Sequence, residues 1–135
     1  MPKANRNGEV SIYTDALVTD ETIAEQFAIL HSVYPDLHAG FFSVLFDAVK
    51  EQGFTEQRLK QAVKHVISTV EYPSFTPAKI LGFDMKYKLY SHSEMLNEIN
   101  DFRATAKDFA KVKRNGRVYW VKQSDKVMYN IPNEL

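Results

Sequence analysis

The stretch KVKRNGRVYWVK, residues 111–122, sets an Asn-Gly pair between two alternating runs. A two-residue type I′ turn needs positive φ at both central positions, which asparagine tolerates and glycine adopts freely, so the pair predicts a tight hairpin. Its arms are 109–114 and 117–122. In that register Arg114 faces Arg117, Val112 faces Tyr119 and Ala110 faces Val121, an apolar face below a tip of two arginines. The other face carries Phe109, Lys111, Lys113, Val118, Trp120 and Lys122.

Upstream of the hairpin the apolar period is helical. Ile23, Phe27, Leu30 and Val33 or Tyr34 recur at three and four residues after Thr19 or Asp20, either of which can cap, and Pro35 stops the run. Asp36 stands where a second helix can be capped, with Phe41, Phe42, Leu45, Phe46 and Val49 on a wide apolar face. Its ending, EQGFT, predicts a left-handed Gly53 with Phe54 folding back on the last turn. Thr55 then caps a third helix with Leu59, Ala62, Val63, Val66, Ile67 and Val70 on one face, closed by Pro73. FTPAKIL predicts a short helix opened by Pro77.

MKYKLY, residues 85–90, alternates as a half-exposed strand. SHSE then offers Ser91 and Glu94 as a capping box for a helix containing Met95, Leu96 and Ile99. Residues 101–108 show no decisive pattern. These readings predict an α+β, mainly helical fold: a bundle of three main helices plus a short fourth, followed by a small antiparallel β-sheet with a C-terminal hairpin, MKYKLY being a candidate third strand. The expected core is Phe27, Leu30, Phe42, Leu45, Phe46, Leu59, Val63, Val66, Ile67 and Ile80. The expected organisation is a mobile tail over 1–10, a single domain over 11–125 (helical part 20–83, strand–helix–hairpin part 85–122), and a loose tail over 126–135, with Val127 to Ile131 as an ordered exception.

Composition agrees with one folded domain: 135 residues, 44% apolar and 25% charged, can bury a core unaided. No cysteine is present, which excludes disulfides, thiolate metal sites and a cysteine nucleophile. No apolar run spans a bilayer, and the first ten residues lack the core of a signal peptide, so the expected location is the cytoplasm, with no membrane partner. Seventeen basic and seventeen acidic residues cancel, but unevenly along the chain. Residues 1–58 hold nine acids against four bases, and residues 101–126 hold eight bases against three acids. That separation fits an anionic partner for the C-terminal part, or acidic and basic parts that face each other.

Catalytic signatures do not appear. His31, His38, His65 and His92 lack metal-ligand spacing, Glu94 and Glu98 read as solvated helix surface, no serine sits in a GxSxG turn, and the glycines form no phosphate loop. The expectation is a protein without catalysis, metal or cofactor. Candidate nucleic-acid-binding residues are Lys111, Lys113, Arg114, Arg117, Trp120 and Lys122: the indole can stack on a base while the cations meet phosphates. The alternative reading makes the lysine stems a cover over the indole and the hairpin a structural lid. Facing arginines call for an anion, whether phosphate, an acidic partner or acids of this chain.

Residues 20–83, with GFFSVLFDAV, FTEQRLKQAVKHVI and YPSFTPAKIL in that order, resemble in plan the small helical proteins of phages and mobile elements that load or inhibit replicative helicases. The resemblance implies a non-enzymatic DNA-replication accessory that contacts a helicase or initiator. The leading expectation is therefore an accessory factor binding DNA or RNA through the basic hairpin and a protein through its helices. The alternative is a protein–protein interaction adaptor that binds no nucleic acid. A homodimer burying the wide apolar faces is compatible with both.

Overall fold

The computed structural model describes residues 8–71 and 74–135. The expected tail over residues 1–7 and the stop at Pro73 lie outside these. The described chain is α+β and divides into two compact units, one formed by residues 13–84 and one by residues 8–12 with 85–135.

The first unit holds α1 (Asp20–Val33), α2 (Ala39–Glu51), α3 (Glu56–Thr69) and α4 (Pro77–Leu81). Local chemistry sets most ends. Thr19 Oγ1 accepts from the Thr22 N–H at 3.2 Å, and Thr55 Oγ1 accepts from the Arg58 N–H at 3.2 Å, each satisfying a donor the helix cannot use. Pro77 opens α4. The start of α2 differs from expectation, since its cap position is His38, which makes no side-chain cap bond, and Asp36 lies outside it. The end of α2 follows expectation. Gly53 adopts φ 67°, its N–H donates to the Lys50 carbonyl at 3.2 Å, and the Phe54 N–H donates to the Val49 carbonyl at 3.2 Å. This Schellman arrangement turns Phe54 inward to complete burial.

Phe54 sits in one continuous core with Ile23, Leu30, Leu45, Val49, Leu59, Val63, Val66 and Ile80. Phe27, Phe42, Phe46 and Ile67 pack against that core while partly exposed, so the expected core is recovered with its aromatics at the margin. Arg58 of α3 clamps the end of α4. Its Nε donates to the Phe83 carbonyl at 2.8 Å and Nη2 to the Leu81 carbonyl at 3.3 Å, with the guanidinium 3.9 Å from the Phe54 ring centroid.

The second unit holds β1 (Glu9–Ser11), β2 (Lys86–Lys88), α5 (His92–Asn100), a 3-10 turn at Ala106–Asp108, β3 (Phe109–Arg114), β4 (Arg117–Lys122) and α6 (Gln123–Met128). β2 does not extend the hairpin sheet. It pairs antiparallel with β1, Val10 opposite Tyr87, in a separate two-stranded sheet. Part of the expected tail is thus a strand, with Val10 buried at its centre. The C-terminal segment is also fixed rather than loose. Ile131 is buried, the Lys113 N–H donates to the Asn133 carbonyl at 2.8 Å, and the Leu135 N–H donates to the Lys113 carbonyl at 2.7 Å.

Two small cores serve this unit: Val10, Tyr87, Leu89, Val112, Val121 and Ile131 form one, and Tyr90, Met95 and Phe109 the other. The capping box of α5 is complete, with the Glu94 N–H donating to Ser91 Oγ at 3.2 Å and the Ser91 N–H donating to Glu94 Oε1 at 3.1 Å. At its other end α5 closes with the same two bonds as α2. The Phe102 N–H donates to the Ile99 carbonyl at 3.1 Å and the Arg103 N–H to the Glu98 carbonyl at 2.9 Å. Here the left-handed residue is Phe102, with φ 60° and 96% exposure.

Candidate nucleic-acid interface

The hairpin forms in the register that Asn115-Gly116 dictates, from Phe109 opposite Lys122 to Arg114 opposite Arg117. Asn115 at φ 52° and Gly116 at φ 78° supply the two positive angles of the turn. Alternation then separates the side chains. Val112 and Val121 are fully buried, with Ala110 and Tyr119 packed against the same core. On the reverse face Lys111, Lys113 and Lys122 are exposed, Val118 is exposed between them, and Phe109 is buried at the base.

Trp120 lies between these outcomes. It is half-buried, packed against Tyr90, Met95 and Phe109, and the Lys111 Nζ stands 5.6 Å from its ring centroid. The indole therefore has a lysine ammonium over its ring, the His92 ring 6.5 Å away between centroids, and apolar neighbours, so a stacking base would compete with Lys111 for it. Its backbone is held too, since Trp120 and Tyr90 exchange N–H···O bonds of 2.8 and 2.6 Å. With Tyr90 along β4 and residues 133–135 along β3, the middle of each outer edge already has a backbone partner. That leaves the lysine-bearing face, rather than an edge, as the surface open to a ligand.

The two tip arginines differ. Arg117 is exposed, and it makes no ion pair among the described residues. Arg114 is half-buried, engaged within the protein, and close enough to Tyr87 to act on its phenol. Burial raises the Tyr87 pKa above its ordinary value, and the Arg114 charge opposes that rise.

Sequence reasoning omitted one cation of this surface. Lys107, in the 3-10 turn, lines a cavity of about 360 Å³ with Arg103, Asp108, Lys122 and Ser124. Lys122 belongs to both the hairpin and this cavity. Lys107, Lys111, Lys113, Arg117 and Lys122 have no ion pair among the described residues. Four of the seven acids of this unit are otherwise committed. Glu94 caps α5 and lies 3.4 Å from Lys88 Nζ, Glu98 and Asp101 pair with Arg103, and Asp108 accepts the Thr105 N–H at 2.8 Å. Backbone bonding from Ser91 leads the causes that hold the Glu94 carboxyl below its usual pKa.

The charge division follows the units. Residues 13–84 contain ten acids and five bases, a net of −5, whereas residues 1–12 with 85–135 contain twelve bases and seven acids, a net of +5. No group of three or more histidine, aspartate or glutamate side chains among the described residues could hold a metal ion, and no described helix is long and apolar enough to cross a membrane. No protein-family model matches the chain, and no curated protein or solved structure shows significant similarity to it.

Proposed function

We propose that this chain is a non-catalytic nucleic-acid-binding protein, an accessory factor in DNA replication or in the life of a mobile element, that holds phosphates on the lysine-bearing face and at the arginine tip of its hairpin. The observation that carries the reading is the set of five cations, Lys107, Lys111, Lys113, Arg117 and Lys122, that make no ion pair among the described residues, in a unit with a net charge of +5. Cations so placed release counterions when they meet a phosphate backbone, and affinity then falls with salt. Trp120 has a positioning part in this scheme: its ring carries Lys111 and takes no base.

Fluorescence anisotropy of labelled DNA across a salt series tests the proposal. Binding should weaken as salt rises, and changing Lys111, Lys113 and Arg117 together to glutamine should flatten the logarithmic slope by about one for each lost phosphate contact. Absence of binding at low salt sinks the proposal. A second reading, a protein adaptor with the hairpin as a lid, is favoured by the covered indole and by Ile29 and Val33, one turn apart on α1 and each 44% exposed. A helicase or initiator is the partner class for that helical surface under either reading.

A further inference from the structure

We infer that Phe102 is a stacking platform for an unpaired nucleobase, and that the adjoining cavity takes that nucleotide's phosphate, so the protein selects single-stranded nucleic acid. This inference rests on the hairpin reading above and adds a site the hairpin does not contain. The starting observation is a residue in the wrong place for packing. Phe102 occupies the left-handed position of a Schellman ending, a place glycine fills without steric conflict, yet its side chain is 96% exposed and belongs to no core cluster. A left-handed phenylalanine without burial has no structural return, and such outliers concentrate at binding sites.

The surroundings define the ligand. The bonds from the Phe102 and Arg103 N–H groups to Ile99 and Glu98 pin the backbone, so the ring is presented from a fixed point and little backbone freedom is lost on binding. Arg103, the next residue, lines the cavity of about 360 Å³ but is already paired with Glu98 and Asp101, so Lys107 and Lys122 are the two lining cations with no ion pair among the described residues, against the carboxylate of Asp108. An exposed aromatic residue one position along the chain from a cation-lined cavity suits a base with its phosphate. Duplex DNA offers the phosphate but keeps its bases stacked, so the ring distinguishes the two forms. Lys122 continues the track onto the hairpin face.

The experiment compares oligo(dT) with a duplex of equal length by anisotropy, using the whole chain and its Phe102→Ala, Phe102→Trp and Lys111→Gln/Lys113→Gln/Arg117→Gln variants. Phe102→Ala should weaken oligo(dT) binding by about 5- to 150-fold, the range for one stacked base, leave duplex binding unchanged, and be rescued by Phe102→Trp. The hairpin triple variant should weaken both ligands. Unchanged oligo(dT) binding by Phe102→Ala overturns the stacking site while the hairpin reading stands. Equal weakening on both ligands also overturns it, because a general surface effect or a protein-docking ring would not tell them apart. Failure of the unaltered chain to bind either ligand overturns both.

Discussion

Helices α2 and α5 end in the same hydrogen-bond pattern and use it for opposite purposes. In α2 the left-handed residue is Gly53 and the residue after it, Phe54, is driven into the core; in α5 the left-handed residue is Phe102 itself, held in solvent, followed by Arg103. One ending contributes to stability. The other accepts backbone strain of about 1–2 kcal/mol to display a ring. The same motif can therefore close a fold or build a surface, and the burial of the aromatic tells which.

The largest test of this contrast is Phe54→Ala, expected to destabilise the helical unit by about 3–5 kcal/mol in chemical denaturation, because a fully buried ring leaves a cavity. Phe102→Ala should lie within about 0.5 kcal/mol of the unaltered chain apart from any relief of strain, since the side chain contacts no core. Arg58→Ala probes the clamp over the Phe54 ring. Loss of two charged hydrogen bonds to carbonyls should cost about 2 kcal/mol, and the thermal midpoint is the convenient measure.

Substituting the left-handed residues themselves should give effects of opposite sign. Gly53→Ala should destabilise by about 1 kcal/mol, whereas Phe102→Gly should stabilise by up to about 1 kcal/mol, the gain from φ outweighing the added freedom of the unfolded glycine. Equal signs for the two would erase the contrast. The smallest effect concerns the start of α5. Glu94 has a lowered pKa in the folded state, so its contribution is present above the ordinary carboxylate pKa and is lost as pH falls through the folded value. A Glu94→Gln variant should show a shallower loss of stability on acidification, followed by circular dichroism across that acid range.

The legibility of these two endings in the sequence was unequal for a physical reason. EQGFT contains the glycine that marks a helix end and an aromatic placed to fold back, so Gly53 and Phe54 could be read directly. Phe102 carries no such mark. It follows Ile99 by three positions and therefore continues the apolar spacing of Met95, Leu96 and Ile99 beyond Asn100, where the helix stops. The hairpin was legible to the residue, because type I′ geometry restricts both turn positions and so fixes the register. The pairing of β1 with β2 was not, since three residues with one buried side chain give no periodicity and their partners lie 75 to 79 positions away. Trp120 defeats composition for a different reason: its burial depends on Tyr90 and Met95, brought beside it by the capping box that turns the chain into α5. Lys107 hides in a polar segment that only a 3-10 turn brings to the cavity.

Tyr13 and Phe83, with ring centroids 6.4 Å apart, stand at the two ends of the helical unit, directly before and after the residues that lead to β1 and β2. Bringing two strands together across 75 residues of unfolded chain is a slow, entropically costly search. Once residues 13–84 have folded, that search is largely complete, because the Tyr13–Phe83 contact holds the two exits as neighbours. The expected order of folding is helices first, then the β1–β2 ladder, with the basic unit assembled last from both ends of the chain. Pulsed hydrogen exchange should find the Leu59 and Val63 amides protected before that of Tyr87, and the reverse order would show that the strands find each other without the helices' help.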